Sequence, residues 1–146
     1  MKKCQRGISL FLVCLFFLNT TAFAVDMTTK SSSYIAGTNA YITPEHNGLL
    51  VITFSISAYG EMSEIGATSI ELYEDNGSST KRVATYKHTN PDYSFIMGSK
   101  EWVHAKDIFY NGTVGYKYYA IVHLKASDSF GGDTVTEVTS KVTAKT

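Results

Sequence analysis

Four histidines are the side chains best suited to acid–base chemistry or metal binding, and their spacing supports neither. They are His46, His88, His104 and His123, and none lies at zinc-ligand spacing from another. We expect His88 and His123 on the outward faces of neighbouring strands, solvated rather than ligating. The chain also lacks the His-Glu-x-x-His, Gly-x-Ser-x-Gly and phosphate-binding glycine motifs. The sequence therefore predicts no catalytic, cofactor or metal site.

Acidic residues gather in two segments that read as loops. One contains Glu74-Asp75-Asn76 and the other runs from Asp128 to Asp133. A calcium site needs about six to eight oxygen ligands, and neither loop has the spacing that would collect them. Asp and Asn also favour turns, because their side chains bond to nearby backbone groups. We favour the turn interpretation and keep calcium as the alternative.

Tyrosine is unusually abundant, with ten tyrosines beside one tryptophan. Tyr116 and Tyr118 share the core parity of a long strand, whereas three other tyrosines have the opposite parity. If the strands at 68–74, 81–88 and 116–126 share a sheet, its outward face gathers five residues: Tyr73, Tyr86, Tyr119, Ile121 and His123. Tyrosine combines a large rigid ring with a polar tip, so we predict a ligand-binding strip here. The alternative is cross-strand pairing that only stabilises the sheet.

These positions depend on a chain built almost entirely of strands. Apolar and polar residues alternate most clearly over 49–58 and 116–126, the period-two pattern of half-buried strands. Asp75–Ser79 contains an Asn-Gly hairpin turn, and 60–66 reads as a loop. The other predicted strands are 34–43, 68–74, 81–88, 93–97, 101–106 and 134–143. Seven to eight antiparallel strands without a helical period predict an all-β, Greek-key β-sandwich.

The segment before the longest predicted strand resembles a known structural motif. The run from Tyr110 to Tyr116 resembles the corner of fibronectin type III and immunoglobulin-like domains, in which a tyrosine bonds back to the crossover backbone. Tyr116 would be that tyrosine, with Tyr110 in the apolar position and Gly112 replacing the usual proline. The resemblance implies an immunoglobulin/fibronectin type III-like sandwich.

The mature chain is also similar to a group of small secreted Gram-positive proteins of unknown function. The likeness lies in size, a signal peptide, a Gly-Tyr-x-Tyr-Tyr-Ala-x-Val strand at 115–122 and a Thr-rich last strand. It implies a bacterial, extracellular protein and no particular activity.

The first residues read as an export signal. Lys2, Lys3 and Arg6 precede an apolar stretch over 8–18, and Ala22-Phe23-Ala24 fits the cleavage site. The alternative is an uncleaved anchor, but the stretch is shorter than the roughly 20 residues that span a bilayer. We predict a signal peptide over 1–24, a flexible leader over 25–33 and one domain over 34–146.

Cleavage would change both the redox chemistry and the charge of the chain. Both cysteines, Cys4 and Cys14, lie in the signal, so the mature protein would be disulfide-free. Its ten basic and thirteen acidic residues give a net charge of −3. Nucleic-acid binding requires a concentrated positive footprint, and we expect no nucleic-acid partner and no membrane span after cleavage.

These observations favour a secreted, non-catalytic binding or surface-interaction module. The partner would be a protein or glycan at the cell surface or outside the cell. One alternative is a carbohydrate-binding module that uses the outward tyrosines. A small secreted enzyme is the third hypothesis, and no motif with a mechanism supports it.

Overall fold

The computed structural model describes residues 32–146. The predicted signal peptide and the leader up to residue 31 lie outside the described residues. The last two leader residues are bonded to the domain, because the Ser32 hydroxyl and the Ser33 N–H both donate to Asp133, at 2.7 and 2.9 Å. In the described part of the chain, no helix is long and apolar enough to cross a membrane.

Residues 32–146 form nine strands and two short 3₁₀ helices, His46–Gly48 and Pro91–Ile96. The strands are β1 (Ile35–Pro44), β2 (Leu49–Met62), β3 (Glu64–Asp75), β4 (Thr80–Lys87), β5 (Met97–Gly98), β6 (Glu101–Asn111), β7 (Lys117–Ser127), β8 (Gly132–Val138) and β9 (Val142–Thr143). Seven of them are seven residues or longer. The prediction of an all-β fold with seven to eight strands is therefore confirmed, with the two-residue β5 and β9 added.

The strands form two antiparallel sheets. The smaller sheet has the order β1-β2-β6, and the larger follows β4-β3-β7-β8, with β5 added beside β3 and β9 beside β7. The chain changes sheet between β2 and β3, between β5 and β6, and again between β6 and β7. These crossovers make the predicted Greek-key sandwich, with the three-plus-four arrangement of long strands found in immunoglobulin-like domains.

The core lies between the two sheets and follows directly from the alternation in the sequence. In β2, every second residue from Leu50 to Ala58 is buried, and β7 repeats the pattern from Tyr118 to Ala126. Successive side chains of a strand point to opposite faces, so each strand has one buried side and one side that faces solvent. The outward sides of β3, β4, β7 and β8 thereby form one surface.

Two local predictions are wrong. Residues 60–66 are mostly strand rather than loop, since β2 continues to Met62 and β3 begins at Glu64. Residues 93–97 are mostly 3₁₀ helix rather than strand. Asn90 caps that helix by accepting the Asp92 N–H at 3.1 Å, and Pro91 follows the cap, as is common where helices begin.

The corner tyrosine is Tyr118, and the prediction of Tyr116 is wrong. The Tyr118 ring is fully buried, and its hydroxyl accepts the N–H of Thr113 at 2.8 Å. Tyr116 precedes β7 and is 36% exposed. Gly112 makes the corner possible, because a Cβ there would lie 2.9 Å from the Tyr118 ring.

Candidate functional site

The outward surface of the larger sheet brings together four of the five predicted ligand-binding residues. Tyr73 on β3 lies directly opposite Tyr119 on β7, and Ile121 and His123 follow on the same side of β7. The Tyr73 and Tyr119 rings stack with centroids 5.0 Å apart and an interplanar angle of 8°. We call this surface the tyrosine face.

Tyr86 does not belong to the tyrosine face, so that part of the prediction is wrong. A register shift between β3 and β4 beside Leu72 leaves Val83 unpaired and places Tyr86 opposite inward-facing Ile70. Tyr86 is 6% exposed and packs edge-on against Tyr93, with ring centroids 4.9 Å apart. Burial raises the pKa of Tyr86 to about 12.

The apolar part of the tyrosine face continues onto β8. Ile121 lies opposite Val138 in the ladder, and Val138 is 62% exposed. The Tyr73–Tyr119 stack and the Ile121–Val138 pair occupy adjacent rows, so they form one strip across three strands. Parity in the sequence predicted that the β7 residues belong to this strip. The place of Val138 in it depends on the β7–β8 register.

Charged side chains border the strip near Tyr73. The Tyr73 hydroxyl donates to Glu71 Oε2 at 2.7 Å, and Arg82 Nη1 lies 3.2 Å from Glu71 Oε1. The bond from Tyr73, supported by Arg82, lowers the pKa of Glu71. The same carboxylate raises the pKa of Tyr73.

A second ion pair borders the strip near Tyr119. Lys141 Nζ lies 2.7 Å from Asp75 Oδ2 and 5.5 Å from the Tyr119 ring centroid, within cation–π range. This contact lowers the pKa of Asp75 and raises the pKa of Lys141. Because Tyr73 stacks on the same ring, Tyr119 has both an aromatic and a cationic neighbour.

The histidines are not brought together as metal ligands. His88 follows β4, and β3 lies between β4 and the β7 strand that carries His123, so their strands are not the neighbours we predicted. His123 Nδ1 lies 3.0 Å from Thr136 Oγ1 on β8. Within residues 32–146, no three His, Cys, Asp or Glu side chains are grouped as they would be around a metal ion.

His104 forms a buried polar contact that the sequence did not predict. Its Nε2 lies 3.0 Å from the Phe95 carbonyl and its Nδ1 lies 2.9 Å from Glu101 Oε2. Both ring nitrogens thus lie at hydrogen-bond distance from an oxygen atom that can accept. The contact attaches the Pro91–Ile96 helix to β6.

A shallow depression lies at the end of the sandwich where β7 turns into β8. Its volume is about 730 Å³. It is lined by Ser63, Glu64, Lys125, Ser127, Asp128, Ser129, Phe130, Gly131, Gly132, Asp133 and Thr134. We call it the loop depression. The sequence did not predict this depression, because a loop has no periodic pattern and the only signal was an aromatic residue between acidic and glycine positions.

One carboxylate of each acidic segment takes part in a turn, as predicted, whereas Glu74 lies buried in β3 and Asp133 lies in β8. Asp75 Oδ1 accepts the Gly77 N–H at 2.9 Å, and Asp128 Oδ1 accepts the N–H groups of Phe130 and Gly131 at 2.7 and 3.1 Å. Asp133 accepts bonds from Ser32 and the residues after it. The Asp75 and Asp128 bonds are local contacts with the backbone, whereas the Asp133 bonds join the start of the domain to β8.

Comparison with known proteins identifies no family. No protein-family model matches the sequence, and no curated protein matches it. Among solved structures, the X-ray structure of Northeast Structural Genomics Consortium target SoR45 is similar. That alignment has 10% sequence identity and covers 75% of this chain and 83% of the other, with a TM-score of 0.35.

Proposed function

We propose that this chain is a secreted, non-catalytic binding module that docks a protein partner on its tyrosine face. The observation that carries the proposal is the continuous strip of the Tyr73–Tyr119 stack and the Ile121–Val138 pair, bordered by charged residues. An apolar centre with a polar rim is the usual anatomy of a protein–protein interface, and tyrosine and arginine are enriched there.

The charge of this surface indicates the kind of partner. The outward sides of β3, β4 and β7, with the segment after β8, carry five cations and three carboxylates: Arg82, Lys87, Lys117, Lys125 and Lys141 against Glu64, Glu71 and Asp75. The mature chain as a whole would carry a net charge of −3. The tyrosine face is thus positive on a negative protein, which favours an acidic partner surface.

The stacked rings favour a protein over a glycan at this surface. A sugar stacks on a free aromatic face. The Tyr119 ring, however, already contacts Tyr73 at 5.0 Å and Lys141 at 5.5 Å, and the Tyr73 hydroxyl is bonded to Glu71. A protein partner can instead use the exposed edge of the strip, where Val138 and Ile121 lie side by side.

The test uses the chain 25–146 with a photo-crosslinking residue at position 138. This labelled protein is added to cells of the kind that secrete it. The matched control carries the same residue at Val103, which is 60% exposed on the outer side of the smaller sheet. We expect a discrete crosslinked protein from position 138 and not from 103, and its yield should fall with rising salt because the contact is charge-assisted.

A charge variant completes the test. Lys87→Glu with Lys117→Glu should reduce saturable binding to these cells, while Val103→Glu should not. Protease treatment of the cells should abolish binding. Equal crosslinking from 138 and 103, or binding that survives protease but not a wall-degrading muramidase, would contradict the proposal.

A further inference from the structure

Phe130 is the most exposed large apolar residue among those described, at 91% exposure. Its position is not that of a loose loop. Asp128 Oδ1 accepts the N–H groups of Phe130 and Gly131, and the Asp128 N–H donates to the Gly131 carbonyl at 2.9 Å. Gly131 lies against Tyr34, since a Cβ there would come 2.7 Å from the Tyr34 hydroxyl. The turn therefore fixes the backbone position of a residue whose aromatic ring is almost fully exposed.

The surroundings of Phe130 are polar. Four hydroxyl side chains line the loop depression: Ser63, Ser127, Ser129 and Thr134. Three carboxylates and one ammonium group accompany them: Glu64, Asp128, Asp133 and Lys125. A depression of about 730 Å³ lies within the size range of ligand sites, about 300–1,000 Å³, but its lining is too polar for an apolar ligand.

We propose that the loop depression binds a saccharide whose ring stacks on Phe130. A sugar ring has an apolar C–H face and a rim of hydroxyl groups. An exposed aromatic face supplies the apolar contact, and the hydroxyl and carboxylate groups of the depression supply donors and acceptors for the rim. The rings of the tyrosine face are engaged with each other, whereas the Phe130 ring has both faces available.

The charges of the depression set the class of sugar. Lys125 is paired with Glu64, so these two charges offset each other. The carboxylate of Asp128 lies in the same turn as Phe130, whose N–H it accepts at 2.7 Å, and it adds a negative charge beside the ring. The negative potential of Asp128 favours a protonated amino sugar over a neutral one, and disfavours a uronic acid. The expected ligand is therefore a polymer or oligomer that contains amino sugars.

The experiment measures binding of three soluble oligosaccharides of equal length to the chain 25–146 by calorimetry and amide chemical shifts. The probes are a glucosamine pentamer, an N-acetylglucosamine pentamer and a galacturonate pentamer. We expect binding in that order of affinity, with shift changes centred on 127–134. Absence of binding by all three at millimolar concentration, or equal affinity for the cationic and anionic probes, would overturn the proposal.

Variants identify the contact. Phe130→Ala should weaken glucosamine-pentamer binding about tenfold, and Phe130→Trp should retain it. Phe109→Ala removes a comparable ring, 64% exposed on the smaller sheet, and should change nothing. Unchanged affinity in Phe130→Ala would overturn the assignment. The other outcome is that no oligosaccharide binds and that Phe130→Ala abolishes crosslinking of position 138 to a protein. Phe130 would then be a protein contact, and the saccharide site would be refuted.

The saccharide site and the tyrosine face can fail separately. Val138→Glu should leave oligosaccharide binding intact, and Phe130→Ala should leave crosslinking from position 138 intact. Loss of both activities in either single variant, with the fold preserved, would contradict the independence of the two sites.

Discussion

Removing the Tyr118 hydroxyl should destabilise the fold, because that group joins a backbone turn to a buried carboxylate. It accepts the Thr113 N–H at 2.8 Å and donates to Glu74 Oε2 at 2.6 Å. Glu74 is 6% exposed, and its other oxygen lies 3.1 Å from Lys81 Nζ. Hydrogen bonds to charged groups contribute about 1.5–3 kcal/mol. Tyr118→Phe should therefore lower the free energy of unfolding by about that amount.

The assay is urea unfolding of the chain 25–146, followed by circular dichroism at pH 7. Tyr116→Phe is the matched control, since Tyr116 lies two residues earlier and is 36% exposed. The control should change the free energy of unfolding by less than about 0.5 kcal/mol, as most surface changes do. Equal losses in the two variants would refute the assignment of Tyr118 as the corner residue.

The effect of Tyr118→Phe should also depend on pH. The bond from Tyr118, and secondarily Lys81, lowers the pKa of Glu74 from its ordinary value of 4.5. A carboxyl with a lowered folded-state pKa stabilises the fold fully above its unfolded pKa, and this contribution is lost as pH falls through the folded value. The difference between wild type and variant should therefore be constant above about pH 5.5 and shrink below about pH 4.5. A difference that is constant from pH 3 to 7 would contradict the role of the carboxylate.

Four further variants, one of them a control, test residues in and around the core. Gly66→Ala should lower the free energy of unfolding in urea by more than about 1 kcal/mol, because Gly66 has φ +149 and a Cβ there would lie 2.3 Å from a backbone oxygen. Gly77→Ala is the control and should lower it by less, since Gly77 has φ +89 but open space around it. The pKa of Tyr86 is raised from 10.0 to about 12 in the folded protein, so its contribution to stability is present below about pH 10 and is lost as the pH rises to about 12. Tyr86→Phe removes this group and should therefore reduce the loss of stability between about pH 10 and 12. His104→Leu should accelerate amide exchange over 91–98, and unchanged exchange would show that the histidine does not hold that segment.

The sequence predicted those elements whose signal is local. Alternation placed β7 at 116–126, and the structure has Lys117–Ser127. The Asn-Gly turn also formed, because Asn76 Oδ1 accepts two N–H groups at 2.9 Å and Gly77 adopts φ +89. In both cases residues adjacent in the chain determine the outcome, so no knowledge of distant contacts was needed.

The errors arose where one extra residue changes a register. Tyr86 was placed outside the core because the sequence does not show that Val83 is left unpaired opposite β3. A shift by one residue exchanges the two faces of a strand, so a single bulge moved a whole aromatic side chain into the core. The corner was misassigned for a related reason. Tyr116 and Tyr118 have the same parity, and only the length of the turn at Gly115, with φ +86, decides which one lies over Thr113.

The two candidate surfaces differ in how much of each could be predicted from the sequence. The tyrosine face consists of strand positions, so parity alone selected Tyr73 and Tyr119, and the β3–β7 register then placed them in contact. Phe130 lies in a loop, where an isolated apolar residue is as compatible with burial under a neighbouring strand as with exposure. Its exposure depends on the Asp128 turn and on the contact between Gly131 and Tyr34, a residue almost a hundred positions earlier in the chain. A site built on such distant contacts becomes visible only once the two ends of the domain are brought together.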